Sequence, residues 1–360
     1  MLRLKNISLI QFKNYAAGTF DLTERIIGIC GKNGIGKTNL LDAIYYLCFT
    51  KGYFTRLDQV NVMHNRVGFR ISGEFENMGR SVQAVCILRE TGKKEFLLDG
   101  EPYEKFSDHI GKFPAVMIAP DDSIIITGAS DERRRFLDSL LSQLNHEYLE
   151  KLIVYNRVLL QRNTQLKSFA ETRSIDQSLL EVLDRQLIEP GTYVHSARRR
   201  YLNELLPSIQ GFYKQISGEN YHVEIEYESQ LSKVSFEEIL HLNHQKDAIA
   251  QRTTAGPHRD DILFALDGIP FKNVASQGQR KSLLFALKLA EFTALKDHKG
   301  FPPILMLDDV FEKLDETRVN NLLQFVCCEN AGQIFFTDTH CNRLSTALEQ
   351  MKKDFQIVSL

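Results

Sequence analysis

Apolar and polar positions alternate along the start of the chain and then change to a helical spacing. Residues 2–30 alternate as strands do and end in the apolar run RIIGIC, which leads into a glycine-rich loop. In the following TNLLDAIYYLCF, the leucines at 40, 41 and 47 and Ile44 lie on one side of a helix. The pattern predicts a strand, a loop and a helix in this order.

The middle of the chain has two different patterns. Residues 67–118 contain short alternating runs such as FRISGEF and SVQAVCILRE with glycines between them, which predicts an antiparallel sheet. From about residue 131 to residue 216 apolar residues recur at spacings of three and four. Because Pro190, Gly191 and Pro207 interrupt this stretch, we expect several helices there and no long coiled coil.

The last third returns to shorter elements. YHVEIEYES predicts a strand, residues 236–250 a helix, and TTAGPHRDDILFALDG a turn and a hairpin. From residue 278 onward, helices alternate with the buried strands FPPILMLDD and QIFFTDT, which predicts a parallel sheet in an α/β domain. We assign residues 1–130 and 251–360 to one domain with a shared sheet, and residues 131–250 to a mainly helical second lobe.

Composition narrows the function classes. The 44 basic and 46 acidic residues give a net charge of -2, so an anionic polymer would have to bind a local patch. No apolar run approaches the roughly 20 residues of a membrane span and the N-terminus resembles a strand, so we expect a cytoplasmic protein without a membrane partner. The six cysteines show no CxxC spacing, which predicts reduced, mostly buried thiols.

GKNGIGKT, residues 31–38, fits the phosphate-loop pattern and stands between an apolar strand and a helix. Backbone amides, the helix dipole and Lys37 would bind the phosphates of ATP, and Thr38 would offer its hydroxyl to Mg²⁺. The predicted nucleotide-binding residues of this segment are Gly31, Lys32, Asn33, Gly34, Ile35, Gly36, Lys37, Thr38 and Asn39.

The apolar strand ILML ends in two carboxylates, Asp308 and Asp309. With a phosphate loop in the same chain, Asp308 would hold Mg²⁺, normally through a water molecule, and Thr38 would offer its hydroxyl to the same ion. Asp309 would polarise the water that attacks the γ-phosphate. Asp309 and Lys37 are therefore the predicted catalytic residues.

A second helix start, at Ser276, Gly278 and Gln279, also has the form of a phosphate-binding end. Two helix ends on the same face of one sheet cannot reach opposite sides of one γ-phosphate. We therefore infer a head-to-tail homodimer in which these residues contact the ATP held by the other copy, so that dimerisation depends on ATP. An ordinary serine-capped helix is the alternative.

The order of these motifs resembles the ATP-binding-cassette heads of the SMC and RecF class, in which FKNY, GxNGxGKT, a serine-glycine-glutamine signature and LDD follow one another. Three stretches narrow the resemblance to the RecF family, namely APDDSIIITGASDERRRFLD (119–138), AGPHRDD (255–261) and LDDVFEKLDETR (307–318). The matches run from end to end of the chain. The resemblance implies a P-loop cassette fold with a mixed sheet that includes an antiparallel section, and a helical insertion lobe.

The resemblance also implies a function in DNA replication, recombination and repair, including the SOS response. Proteins of this kind bind ATP with Mg²⁺ and gapped duplex or junctions of single- and double-stranded DNA, act with RecR and RecO, and help to load RecA. Asp309 is one methylene shorter than the glutamate usual in cassette heads, so we expect a weak, DNA-stimulated ATPase that acts as a timer. An SMC-like DNA scaffold and a cassette subunit of another complex, such as a transporter, are the alternatives.

Some positions depart from the family pattern. The signature begins with residues 275–277, Ala-Ser-Gln, in place of Leu-Ser-Gly. Before Leu-Asp the family usually has a small residue and a glutamate, whereas this chain has Glu312 and Lys313. The surface near Asp315 that would face the other copy therefore differs from the family pattern. His340 resembles the switch histidine of cassette ATPases, or is an exposed histidine at the end of a strand.

Two arginine clusters, 133–135 and 198–200, could neutralise DNA phosphates. Because acidic residues lie nearby, ion-paired or solvated helix faces are the alternative. Arg259 either pairs with Asp260 or Asp261 or senses the nucleotide state.

Overall fold

The computed structural model describes residues 1–172, 177–218, 221–309 and 316–360. The strands are β1 (Leu2–Phe12), β2 (Tyr15–Asp21), β3 (Ile26–Cys30), β4 (Phe69–Asn77), β5 (Arg80–Leu88), β6 (Lys94–Leu98), β7 (Glu101–Pro102), β8 (Ala115–Ile118), β9 (Val223–Glu228), β10 (Asp261–Leu266), β11 (Ile269–Pro270), β12 (Ile304–Leu307), β13 (Ile334–Asp338) and β14 (Phe355–Ser359). The α-helices are α1 (Lys37–Phe49), α2 (Ile124–Thr127), α3 (Ser130–Leu144), α4 (His146–Thr172), α5 (Gln177–Ser217), α6 (Phe236–Ala250), α7 (Phe271–Val274), α8 (Gln277–Lys299), α9 (Glu316–Leu323) and α10 (Cys341–Gln350). A π-helical turn, Gln324–Glu329, continues α9.

A parallel sheet with the strand order β14-β3-β13-β12-β8 carries the predicted nucleotide motifs. Strands β3, β8, β12 and β13 are wholly buried, which explains why they appear in the sequence as continuous apolar runs. The prediction that distant parts of the chain share one parallel sheet is confirmed. The predicted antiparallel stretch ends earlier than expected, because β8 pairs in parallel with β12.

An antiparallel sheet with the order β2-β1-β4-β5-β6-β7 forms the other part of this core. Helix α1 contributes buried side chains to a hydrophobic cluster that includes residues of both sheets. The contact with β4 is close, because a Cβ at Gly73 would lie 2.7 Å from a methyl carbon of Leu47. The helix that begins at the phosphate loop is thereby held by packing on its apolar side chains.

The chain divides into two compact units, one of residues 1–123, 211–219 and 276–360 and one of residues 124–210 and 220–275. The sequence placed residues 251–275 in the cassette domain, whereas here they belong to the second unit. The reason is strand pairing, since β10 pairs with β9 and β11 in a three-stranded antiparallel sheet.

The helical stretch contains α3, α4 and α5, but the expected breaks at its prolines are wrong. Pro190 and Pro207 both lie inside the 41-residue helix α5. Each proline removes one backbone N–H donor from the helix. The buried apolar side chains nevertheless continue along one side of α5 through both prolines. Gly191 also packs tightly, since a Cβ there would lie 2.4 Å from a ring carbon of Phe236. Tertiary packing therefore outweighs the local signal.

No helix in the described parts of the chain is both long and apolar enough to span a bilayer.

A disulfide joins Cys30, the last residue of β3, to Cys341, the first residue of α10. The expectation that all six cysteines are reduced is wrong for this pair. The two residues are 311 positions apart, so no local spacing indicates the bond. They meet because β3 and β13 are neighbours and Cys30 lies opposite Asp338, three residues before Cys341. The other cysteines are free, and Cys48, Cys86 and Cys327 are buried.

We predict that alkylation of the unfolded, unreduced protein labels the four free cysteines and that prior reduction raises the count to all six. The disulfide closes a long loop and so reduces the conformational entropy of the unfolded chain. Cys341→Ser should therefore lower the free energy of unfolding by about 2–5 kcal/mol under oxidising conditions. Mass spectrometry and urea unfolding measure both effects. Cys328→Ser is the control and should remove one label in either state. Six labels without reduction would contradict the bond.

Candidate nucleotide site

The phosphate loop connects the buried strand β3 to α1. Gly34 and Gly36 have positive φ angles of 81° and 122°, which other residues rarely adopt. At Gly36 space is also limiting, since a Cβ would lie 2.7 Å from Asn14 Nδ2 and 3.0 Å from the Tyr15 hydroxyl. Glycine at this position is therefore required by conformation and by contact.

Lys37 occupies the first turn of α1 and its side chain is almost fully buried. Its ammonium group donates to the carbonyl oxygens of Gly31, at 2.9 Å, and Lys32, at 3.3 Å. The lysine charge therefore lies against the backbone of the loop, where the helix N-terminus already favours an anion.

The turn between β1 and β2 is attached to the phosphate loop. Asn14 Nδ2 donates to the carbonyl oxygen of Ile35 at 2.7 Å, and Asn39 Nδ2 donates to Asn14 Oδ1 at 2.7 Å. The Tyr15 hydroxyl donates to the carbonyl oxygen of Gly36 at 3.1 Å. Burial raises the pKa of Tyr15 to about 12, so it remains a donor. Asn14 and Tyr15 were not predicted as site residues, although the FKNY motif contained both.

Thr38 and Asp308 are in direct contact. The Thr38 hydroxyl donates to Asp308, with oxygen separations of 2.9 Å and 3.1 Å. Neighbouring ligands of an octahedral Mg²⁺, each about 2.1 Å from the metal, would be about 3 Å apart, so this pair fits the ion. Among the described residues no cluster of three His, Cys, Asp or Glu could hold a metal.

Asp308 is buried and receives a second hydrogen bond, from Thr337 Oγ1 at 2.6 Å. Burial raises the pKa of Asp308, and the neighbouring Asp309 raises it further, whereas the hydrogen bonds from Thr337 and Thr38 oppose the shift. A bound cation would favour the charged carboxylate. Thr337, at the end of β13, was not predicted as a site residue and has no recognisable local signal.

Asp309 is the second residue beyond β12 and is half-buried. Its φ is +47°, and its backbone N–H donates to Thr337 Oγ1 at 2.8 Å. This hydroxyl thus links both aspartates to the neighbouring strand. The expectations for Glu312, Lys313 and Asp315 fall outside the described residues.

His340 is exposed and lies just beyond the end of β13. Its backbone N–H donates to Asp338 Oδ1 at 2.8 Å, and Arg343 forms two hydrogen bonds with the same buried carboxylate. Asp338 thereby holds the start of α10, whereas the His340 side chain faces solvent. This placement is compatible with either interpretation of the histidine.

The second predicted helix start is a capping box. Ser276 Oγ accepts from the backbone N–H of Gln279 at 3.2 Å, and Gln279 Oε1 accepts from the backbone N–H of Ser276 at 2.9 Å. A Cβ at Gly278 would lie 2.8 Å from Arg318 Nη1, so this glycine gives the arginine room. Ser276 is exposed at the beginning of α8.

The arginine clusters are largely ion-paired. Arg133 forms two hydrogen bonds with Asp261, at 2.6 Å and 2.9 Å, and the buried Arg198 forms two with Asp138, at 2.8 Å and 2.9 Å. Arg135 pairs with Glu132. The ion-paired alternative is therefore confirmed for these arginines.

Arg259 does not form the expected ion pair. Asp261 is bound by Arg133, and Asp260 accepts from the Tyr227 hydroxyl at 2.5 Å. The Arg259 side chain is exposed, and it makes no ion pair with any residue that the structure describes.

Comparisons with known proteins agree with this geometry. The family model for "RecF/RecN/SMC N terminal domain" matches residues 3–358. The "DNA replication and repair protein RecF" of Flavobacterium johnsoniae is 41% identical over 359 residues, and the alignment covers 100% of this chain and 100% of that protein. The protein of the same name from Bacteroides fragilis is 39% identical, with 98% of this chain and 95% of that protein covered.

Solved structures show the same fold. "Structure of the recombination mediator protein RecF-ATP in RecFOR pathway" is similar with a TM-score of 0.87 and 28% identity, covering 94% of this chain and 92% of that one. An Smc head bound to the C-winged helix domain of ScpA has a TM-score of 0.54 at 12% identity, covering 95% and 91%, which shows the fold alone. The predicted cassette fold is confirmed. The chain belongs to the RecF family within the RecF/RecN/SMC class of proteins.

Proposed function

We propose that the chain is an ATP-dependent DNA replication and repair protein that binds gapped or junction DNA in the cytoplasm and, with RecO and RecR, assists RecA loading. The main observation that supports this proposal is the hydrogen bond between Thr38 and Asp308. It places a hydroxyl and a carboxylate beside a phosphate loop, as ATP with Mg²⁺ requires. The relatives named RecF and the RecF-ATP structure support the pathway.

The residues of the site have separate roles in this proposal. Bound Mg²⁺ would neutralise phosphate charge. The loop amides and Lys37 bind the phosphates, Thr38 and Asp308 hold the ion, and Asn14 keeps the loop in its bound shape through the carbonyl of Ile35. Asp309 orients the attacking water and accepts its proton.

ATP also joins two copies of the chain in this proposal. The exposed Ser276 and the backbone amides of the first turn of α8 supply donors for the γ-phosphate bound by the other copy. The capping box already fixes the conformation of this helix start, so the binding of a phosphate there loses little conformational entropy. Weak hydrolysis, stimulated by DNA, then opens the dimer and releases the DNA.

We expect ATP with Mg²⁺ to convert the protein into a dimer and Ser276→Arg to abolish this dimer, because a bulky cation would replace the small donor at the shared site. Analytical ultracentrifugation with and without gapped duplex measures the change. Ser235→Arg is the matched control, since the exposed Ser235 also caps a helix, α6, by accepting a hydrogen bond from the backbone N–H of Glu238 at 3.2 Å. Monomers of the parent protein under every condition would contradict the shared site.

Lys37→Arg should retain some nucleotide binding and lower DNA-stimulated turnover by about a hundredfold. The buried ammonium fits between two carbonyl groups, and a planar guanidinium does not fit this compact position. Phosphate release measures turnover and a fluorescent ATP analogue measures binding, with the exposed Lys246→Arg as control. Parental turnover in Lys37→Arg would disprove the assignment of the lysine.

Asp309→Asn should slow hydrolysis by about a hundredfold or more, because an amide cannot accept the proton of the water. If hydrolysis resets the protein, the variant should also remain as a dimer on gapped DNA, which dissociation kinetics after competitor addition would reveal. The exposed Asp297→Asn serves as control. Rapid release by the variant would show that hydrolysis does not control dissociation.

A further inference from the structure

The segment after the phosphate-loop helix has an unusual charge. Residues 51–70 contain four basic residues, Lys51, Arg56, Arg66 and Arg70, and one acidic residue, Asp58, so their net charge is 4 − 1 = +3, whereas the whole chain carries -2. The cations of this segment are spaced along the sequence and form no run, so no local pattern marks them.

The single acidic side chain is already neutralised. Asp58 pairs with Lys94 at 2.9 Å and accepts a hydrogen bond from the Tyr46 hydroxyl. Arg56, Arg66 and Arg70 are exposed, and none forms an ion pair with another residue in the described ranges. They differ in this respect from Arg133 and Arg198, whose charges are compensated within the protein.

Backbone contacts hold this segment in place. Val62 forms a bridge with Phe12, the Met63 N–H donates to the carbonyl oxygen of Gln11 at 2.8 Å, and the Lys13 N–H donates to that of Asn61 at 2.8 Å. The next residue after Lys13 is Asn14, which contacts the phosphate loop. The segment is therefore a fixed surface connected to the nucleotide site through one hairpin turn.

Positive charge is uneven along the outer face of the antiparallel sheet. Arg70 lies opposite the exposed Ile10, and Ser72 lies opposite Ser8 one step further along β4 and β1. Beyond these, the same face of β4 carries Glu74 and Glu76. Glu76 is paired with Lys5 at 3.3 Å, whereas Arg70 has no such partner among the described residues, so a polyanion would be attracted most strongly at the Arg70 end.

Exposed apolar side chains lie between the cations. Phe54, Leu57, Val60 and Val67 have exposed fractions of 40%, 69%, 60% and 57%. The Lys13 ammonium lies 5.5 Å from the centre of the Phe54 ring, which keeps the ring beside the end of β1. Interleaved cations and apolar groups fit a nucleic-acid backbone, in which charged phosphates alternate with sugars.

We propose that residues 54–70 form a DNA-contact surface that binds the phosphates of a duplex segment through Arg56, Arg66 and Arg70. The inference rests on the proposed DNA-binding function and deepens it by assigning the contact surface. The uncompensated charge favours DNA over a protein partner. Because the surface continues into the hairpin that touches the phosphate loop, DNA bound here is placed to influence the nucleotide site.

The test compares the triple variant Arg56→Ala/Arg66→Ala/Arg70→Ala with the parent protein by fluorescence polarisation on labelled gapped duplex over a series of salt concentrations. Each lost phosphate contact should reduce the slope of log K against log salt by about 0.9, so the three together reduce it by roughly 2.7. At physiological salt the affinity should fall at least about tenfold. Binding of a fluorescent ATP analogue should not change.

A control variant, Arg80→Ala/Arg185→Ala/Arg252→Ala, removes three exposed arginines elsewhere and thus the same net charge. It should keep the parental slope. An unchanged slope in the first variant, or an equal loss in both, overturns the contact surface. Loss of the ATP-dependent dimer with unchanged DNA binding would instead assign the surface to a second copy of the chain, and would also overturn the proposal.

Failure of the two proposals can be distinguished. If the parent protein does not bind gapped or duplex DNA, the proposed function itself is wrong. If the parent binds and the triple variant binds equally well with a parental melting temperature, only the contact surface is wrong. Should the triple variant unfold, the three single variants replace it, and each should reduce the slope by about 0.9.

Discussion

The hydrogen bonds around Asp308 hold the candidate site together. Its carboxylate accepts from Thr38 at the beginning of α1 and from Thr337 at the end of β13, and Asp308 itself directly follows β12. Three segments that are far apart in the sequence thus meet at one buried carboxylate. Burial makes an unpaired carboxylate costly, so both hydroxyl donors are needed for its stability as well as for the geometry of the site.

The remaining parts of the site depend on this meeting point. The parallel sheet brings the ends of β3, β12 and β13 to one edge, and the turn between β1 and β2 adds Asn14 and Tyr15 to the phosphate loop. The nucleotide site therefore belongs to both sheets of the first unit. The phosphate loop, the Thr38–Asp308 pair and the N-terminal hairpin are consequently connected by short, direct contacts.

Arginine has two different uses in this protein. Arg133 and Arg198 lie in consecutive basic runs, yet each binds a carboxylate with two hydrogen bonds and contributes to the second unit. Arg56, Arg66 and Arg70 are scattered in the sequence, yet they remain uncompensated on a surface held by backbone contacts. Local density of positive charge is thus a poor guide to a polyanion site, because the partner of each cation is decided by folding.

The sequence by itself determined the strand, loop and helix of the phosphate site, the buried strand before Asp308 and Asp309, and the α/β class. These features depend on glycine conformation and apolar periodicity, which act over a few residues. Only the tertiary structure decided that Thr337 and Asn14 join the site, that Cys30 bonds to Cys341, and that α5 continues through its prolines. Each of these outcomes depends on a partner distant in the chain, or on packing strong enough to outweigh a local preference, and neither is encoded in a short window of sequence.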